Sequence, residues 1–289
     1  MENKSEKIRN SARDSMIYLC AISNIRSGAC REDCGFCTQS VKWGADIKRY
    51  RQKEIQTIVN EAVLAKKNGA VGFCLVTSGK SLDDLTLEYV SNAAREIKKK
   101  VDITLIACNG VADKDALKEL KNAGIEIYNH NLETSREYYP KICSTHSWDE
   151  RYKTCENVKS AGLRLCSGGI FGLGESKEDW YSLLNSLKEL KAEGIPLNFF
   201  IPNEKLPLKP THDKKKALEV ISLFRKNFPE SIIMLAGGRE YVFKDRWIEG
   251  IKAGANAIII GDYLTTKGER PDKDIEMLKK EGIEIADKC

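Results

Sequence analysis

The chain is poor in several features, and each shortage excludes a class. No stretch approaches the roughly 18 uninterrupted apolar residues of a membrane span, so no membrane partner is expected. Met1 to Asp14 is charged and no apolar signal region follows, which argues for the cytoplasm rather than export. There is no dense basic run. The 47 basic residues stand against 42 acidic ones, for a net charge of +5, and so even a balance argues against a dedicated nucleic-acid binder. Lys98-Lys99-Lys100 and Lys214-Lys215-Lys216 read as solvated helix faces. Low-complexity segments and interior linkers are missing too, so a single domain over residues 16–284 is expected, between an N-terminal extension (1–15) and a short tail (285–289). Histidine is scarce, with only His130, His146 and His212.

Cysteine is not scarce. Ten cysteines in a chain without export signals should be reduced thiols, which turns attention from disulfides to metal ligation or redox chemistry.

Short β-branched runs alternate with helix-period segments from end to end. The runs are 18–25, 71–77, 103–108, 125–129, 163–167, 197–201, 232–236 and 257–260. Several are almost wholly apolar, as parallel strands covered on both faces are. Between them lie amphipathic stripes, such as Ile55, Ile58, Val59, Ala62 and Val63, or Leu218, Ile221 and Phe224. Ser147 with Glu150 and Ser176 with Asp179 resemble capping boxes. Eight βα units predict an α/β fold, a single-domain (β/α)8 TIM-type barrel of parallel strands; an open doubly wound sheet is the alternative and would leave two edges exposed. In either, chemistry gathers at the carboxyl ends of the strands.

Directly after the first strand comes Gly28-Ala29-Cys30-Arg31-Glu32-Asp33-Cys34-Gly35-Phe36-Cys37, with C-x3-C-x2-C spacing. Three thiolates on a compact loop can fill three corners of an iron–sulfur cubane and leave one iron open. Structural zinc sites close with four ligands, and here there is no second cysteine pair and no histidine nearby. An open iron is what a radical S-adenosylmethionine enzyme requires, and Phe36 stands at the aromatic position of that superfamily's motif. Further along, Cys74, Cys108 and Cys166 fall in or at the ends of the second, third and fifth strands, and Arg239 just beyond the seventh. In a closed barrel these four could converge inside it, as a second iron–sulfur site or as buried structural thiols.

Over nearly its whole length the chain resembles the biotin synthase family. The segments that carry the likeness are Ser27 to Cys37; Gly72-Phe73-Cys74; Tyr128-Asn129-His130-Asn131-Leu132-Glu133-Thr134; Leu165-Cys166-Ser167-Gly168-Gly169-Ile170 with Gly172-Leu173-Gly174-Glu175; Ala236-Gly237-Gly238-Arg239-Glu240; and Leu264-Thr265-Thr266. The resemblance implies a homodimeric barrel that inserts sulfur into dethiobiotin, fed by a flavodoxin- or ferredoxin-type electron donor. It implies a [4Fe-4S] cluster on Cys30, Cys34 and Cys37. It also implies an auxiliary cluster of [2Fe-2S] type on Cys74, Cys108, Cys166 and Arg239 as sulfur donor. Asn131 would bridge substrate urea and cofactor ribose, Glu133 would bind the ribose, Asn129 and Asn198 the urea, and Thr265 and Thr266 the substrate carboxylate. Phe36, Gly168 and Gly169 would lie against S-adenosylmethionine. The third strand departs from the family. Where A-C-M-T-L-G-T is usual, this chain reads Ala107-Cys108-Asn109-Gly110-Val111-Ala112, and in ungapped register the family's cysteine falls on Ile106. Alternation keeps 106 and 108 on one face, about 7 Å apart. His130 should point away from its neighbours, as a satisfied structural histidine. Cys20, Cys143, Cys155 and Cys289 carry no readable signal. Two further readings are a related radical enzyme, such as a hydrogenase-cluster maturase, and a non-catalytic iron–sulfur electron carrier.

Overall fold

A run buried on both faces opens the structure, a computed structural model that describes residues 16–211 and 213–288; the extension expected over 1–15, His212 and Cys289 lie outside the described residues. That run is β1 (Met16–Arg26). After it come α1 (Ile55–Lys67), β2 (Gly72–Thr77), α2 (Asp84–Lys98), β3 (Thr104–Cys108), α3 (Lys114–Asn122) and β4 (Ile127–Asn129). The second half runs α4 (Trp148–Ser160), β5 (Arg164–Cys166), β6 (Gly169–Phe171), α5 (Lys177–Glu189), β7 (Gly194–Phe199), α6 (Lys214–Asn227) and β8 (Ile232–Leu235). Short helices α7 (Arg239–Phe243) and α8 (Ile248–Lys252), β9 (Ala257–Ile259), α9 (Pro271–Lys280) and a two-residue β10 (Glu284–Ile285) complete it.

The strands are all parallel, in the order β1-β2-β3-β4-β5-β7-β8-β9, and β9 pairs back onto β1 through Tyr18↔Ala257, Leu19↔Ile258 and Cys20↔Ile259. The result is a closed eight-stranded (β/α)8 barrel, and the open sheet is excluded. Two strands escaped the sequence. β10 pairs with the start of β1 through two residues and is too short to show a period. β6 begins inside Gly168-Gly169, where missing side chains erase the strand signal. It takes over from β5, which meets β7 only at Cys166↔Gly194, and pairs with β7 from Gly169↔Leu197 onward.

Both capping boxes form, Ser147 with Glu150 on α4 and Ser176 with Asp179 on α5. The stripe on α1 is rotated slightly from expectation. Ile58, Val59, Ala62 and Ala65 are buried, whereas Val63 is exposed. Alternation along the strands divides the apolar side chains between two cores. The larger lies between barrel and helices. The smaller fills the lumen, with Tyr18, Cys20, Cys74, Val76, Ile106, Ile127, Cys166, Met234 and Ile259 among its members.

Gly168 marks where β5 hands over to β6. A Cβ there would stand 2.0 Å from the Pro196 carbonyl oxygen, and backbone cannot move aside as a side-chain tip can. Gly168→Ala is therefore expected to destabilise the chain by about 3 kcal/mol, the upper end of ordinary overpacking. Thermal unfolding followed by circular dichroism measures this.

Candidate active site

The loop after β1 turns through a left-handed pair, Gly28 (φ 72°) and Ala29 (φ 58°). Such a conformation costs a non-glycine residue about 1–3 kcal/mol, which the surroundings must supply. Gly28 N–H donates to Gln39 Oε1 at 2.9 Å, and Ser78 Oγ donates to the Gly28 carbonyl at 2.6 Å. Cys30, Cys34 and Cys37 follow, all half-buried. The loop is clamped by the segment after β4. Asp33 accepts from Ser144 N (2.8 Å), Ser144 Oγ (2.5 Å) and Thr145 N (3.2 Å), while Gly35 N–H donates to the Ile142 carbonyl at 2.8 Å. Burial opposes ionisation of Asp33, but those donors outweigh it and hold the carboxyl well below the usual range. Burial pushes the Cys30 thiol up and Cys37 to about 11. A coordinated cation reverses that preference, since ligation strips the thiol proton.

The same clamp corrects one expectation, that no histidine lies near the loop. Residues distant in sequence fold over it, and His146 Nδ1 is 2.7 Å from Glu32 Oε2 and 3.3 Å from Cys143 Sγ. Cys143 Sγ is in turn 3.6 Å from Cys34 Sγ. Nothing in a lone histidine and a lone cysteine announced this.

Asn129, Asn131 and Glu133 lie at and beyond the end of β4. Glu133 (φ 70°) is buried, and Arg151 from the first turn of α4 reaches it, Nη2 to Oε1 at 3.0 Å. Arg151 Nε donates to the Asn131 carbonyl at 2.6 Å, and its Nη1 is 3.3 Å from His146 Nε2. Burial raises the Glu133 carboxyl, opposed chiefly by Arg151. A charge on Glu133 is felt at Cys37 in the loop and at Cys108 in the lumen, so the carboxylate is in electrostatic reach of both cysteine groups. Its second oxygen, Oε2, and Asn129 Oδ1 are buried acceptors without a hydrogen-bond partner among the described residues. Two orphaned acceptors at one strand end suit a ligand bearing N–H and O–H groups.

The remaining expected contacts ring the same end of the barrel. Asn131 Oδ1 accepts from Gly168 N at 3.2 Å. Asn198 on β7 accepts from Gly237 N at 2.9 Å and donates to the Gly169 carbonyl at 3.2 Å. Thr265 Oγ1 meets Thr38 Oγ1 at 2.9 Å, joining the last loop to the cysteine loop, while Thr266 is exposed. Phe36 is half-buried against the outer core. His130 is buried, and its Nε2 has no partner among the described residues, so it is not the fully satisfied histidine expected. Cys155 is wholly buried on α4, its Sγ 3.3 Å from the His130 carbonyl.

In the lumen, Cys74 and Cys166 belong to the inner core and Cys108 packs against it, on the same face as Ile106. Burial, then charge on Cys108, Cys166 and Cys20, pushes the Cys74 thiol well up; burial takes Cys108 to about 11. Asn129 Nδ2 lies 3.5 Å from Cys108 Sγ. Charge on Cys108 and on Cys166 reaches Cys74, and three thiols grouped in this way are a donor set that an iron–sulfur group uses. Arg239 is placed differently. Fully buried at the start of α7, it forms a two-pronged pair with Asp274 on α9 (3.1 and 2.9 Å), binds Glu240 at 2.8 Å and lies 4.7 Å over the Trp247 ring. Arg151, unlike Arg239, was not singled out from sequence, although the α4 stripe places it on the barrel side.

Residues 24–187 match the Radical SAM superfamily, and residues 196–284 match the Biotin and Thiamin Synthesis associated domain. A biotin synthase of Nautilia profundicola is 72% identical over 273 residues, 94% of this chain and 99% of that protein. One from Aliarcobacter butzleri is 56% identical over 278 residues, 96% and 99% of the two chains. Among solved structures, a methylornithine synthase superposes with TM-score 0.83 at 20% identity, covering 99% of this chain and 91% of that one. An FeFe-hydrogenase maturase from Carboxydothermus hydrogenoformans gives TM-score 0.84 at 18% identity, covering 96% and 70%. The structural likenesses bear on the fold alone. Among the described residues no helix is long and apolar enough to cross a membrane.

Proposed function

The chain belongs to the biotin synthase family of radical S-adenosylmethionine enzymes, and from that membership we propose how its residues divide the work of converting dethiobiotin to biotin. It is an enzyme of sulfur insertion that uses a [4Fe-4S] cluster and S-adenosylmethionine. When bound, these supply a 5′-deoxyadenosyl radical, the one species here able to take hydrogen from an unactivated C–H bond.

Cys30, Cys34 and Cys37 hold the cluster, with Phe36 shielding it and Gly168 and Gly169 letting backbone approach the cofactor. Glu133 accepts from ribose hydroxyls through Oε2, while Arg151 fixes its other oxygen. Asn129 Oδ1 accepts from the urea N–H, Asn131 spans urea and ribose, and Asn198 completes the urea contacts. Thr265 and Thr266 take the carboxylate. Cys74, Cys108 and Cys166 hold the auxiliary iron–sulfur group that donates sulfur. The enzyme works in the cytoplasm as a homodimer, reduced by a flavodoxin- or ferredoxin-type protein.

The observation that carries this reading is the pair of orphaned buried acceptors, Glu133 Oε2 and Asn129 Oδ1, the first in electrostatic reach of both cysteine groups and the second on a residue beside Cys108. Anaerobically reconstituted and reduced protein should convert dethiobiotin to biotin with about two 5′-deoxyadenosines per product, one for each C–H bond broken. Asn131→Ala should weaken binding of both substrate and cofactor. Dethiobiotin that neither binds nor stimulates cofactor cleavage would point instead to another reaction of the superfamily.

A further inference from the structure

We propose that Cys34, Cys143 and His146 form a binding site for a single divalent metal ion of the zinc type, and that this ion and the iron–sulfur cluster of the loop exclude each other. The exclusion rests on the reading of Cys34 as a cluster ligand; the site itself does not.

The three residues come from two segments that only the fold brings together. One ligand atom from each, two sulfurs and a ring nitrogen, lie within 4.8 Å of one another. Cys143 Sγ is 3.6 Å from Cys34 Sγ, and 3.3 and 3.8 Å from the two ring nitrogens of His146. Zinc bonds of about 2.3 Å to sulfur and about 2.0–2.1 Å to nitrogen put tetrahedral neighbours about 3.4–3.8 Å apart. The donors therefore already stand close to the edges of a coordination tetrahedron. Water has little access to them, with Cys143 5% and His146 8% exposed. Two thiols with an imidazole select a borderline-soft ion over magnesium or calcium.

The ligands are also held from behind. Glu32 Oε2, 2.7 Å from His146 Nδ1, takes the proton there and leaves Nε2 to the ion, as a carboxylate commonly orients a ligating histidine. The Tyr139 ring lies edge-on to the imidazole at 5.9 Å, and Cys143 N–H donates to the Tyr139 carbonyl at 3.1 Å. Trp43 Nε1 donates to the Cys34 carbonyl at 2.9 Å. Arg151 Nη1 now faces Nε2 at 3.3 Å, and when the ion takes its place the guanidinium keeps Glu133 and the Asn131 carbonyl. Charge balances as well. Each thiol gives up its proton on ligation, two thiolates neutralise a dication, and Arg151 stays paired with Glu133. Cys34 cannot serve both groups. An ion held here occupies a thiolate that the cubane needs, and a built cubane leaves Cys143 and His146 as two donors alone.

The test uses the full chain carrying Cys30→Ala and Cys37→Ala, stripped of metal, reduced, and titrated anaerobically with cobalt(II). Readouts are the sulfur-to-cobalt charge-transfer absorption and the visible bands of tetrahedral cobalt, with zinc as competitor and circular dichroism as the folding check. Thiols elsewhere contribute a background common to all variants, which is subtracted. Adding Cys143→Ala should remove one cobalt per chain. Adding His146→Gln should weaken that site at least tenfold and shift its visible bands. In the intact chain, a single equivalent of zinc should slow cluster assembly from iron and sulfide, and Cys143→Ala should relieve the delay. Cobalt binding and spectra unchanged by both substitutions would overturn the site. Assembly that zinc leaves unslowed, or slows equally without Cys143, would reject the exclusion. An intact chain that builds no loop cluster even without zinc would overturn the reading of Cys34 beneath it, with the cobalt result standing apart.

Discussion

Alanine at Cys30 or Cys37, or at Cys34 and Cys143 together, takes reductive cleavage of S-adenosylmethionine to background in anaerobically reconstituted protein. The reason lies in how few ligands the loop supplies. A cubane held by three thiolates has none to spare, and removal of one leaves a second iron open to water and oxidative loss. Cys34 is paired with Cys143 in this prediction because a second thiol lies 3.6 Å from it and is the one local substitute. The loop should survive these changes, since most of its fixing bonds join Asp33 to Ser144 and Thr145 and Gln39 to Gly28, with Cys143 Sγ adding contacts to Cys34, Thr145 and His146. Product 5′-deoxyadenosine, separated by chromatography, is the readout. Its retention in every one of these variants would remove the radical assignment of the loop.

Arg151→Ala is expected to cost about 3–5 kcal/mol, the usual penalty for stranding one member of a buried ion pair. Glu133 would keep its burial and lose the cation that offsets it. The fall in thermal midpoint is on the order of 10 °C, measured on the metal-free protein. The pH dependence has a definite sign. Burial alone raises the folded-state pKa of Glu133 above its unfolded value, so the variant's deficit shrinks as pH falls and the carboxyl protonates, and grows as pH rises through the folded value. Adding Glu133→Gln should recover most of the stability without recovering cofactor affinity, because a neutral amide needs no cation yet cannot accept from ribose hydroxyls as a carboxylate does. A stability deficit that stays flat with pH would mean that Arg151 acts through packing instead.

The parts of the barrel that the sequence disclosed are those set by a local period. Apolar runs such as 232–236 gave their strands, and Ser147 and Ser176 gave helix starts, because each signal lies within a few residues of its consequence. The loop cysteines were legible for the same reason. What could not be read needs the third dimension. Neither Cys143 nor His146 has a motif around it, and only the fold of the segment after β4 brings them to Glu32 and Cys34. Arg239 was expected to converge with the lumen cysteines; two glycines precede it, Gly238 (φ 84°) turns the chain into α7, and the guanidinium pairs with Asp274.

Closure of the barrel by β1 against β9 sets a timetable for the nascent chain. The first strand to leave the ribosome finds its last partner only once residues 257–259 have been made, and at about 5–20 residues per second that is a wait of roughly ten to fifty seconds. Throughout it, Tyr18, Leu19 and Cys20 present an unpaired edge. Until β9 docks, the lumen stays open along that seam; in the closed barrel Cys74 and Cys166 are buried while Cys108 keeps partial exposure. Iron and sulfide for the proposed inner group would have to enter either during synthesis or along the barrel axis afterwards, whereas the loop thiols stand beyond the end of β1, outside the staves.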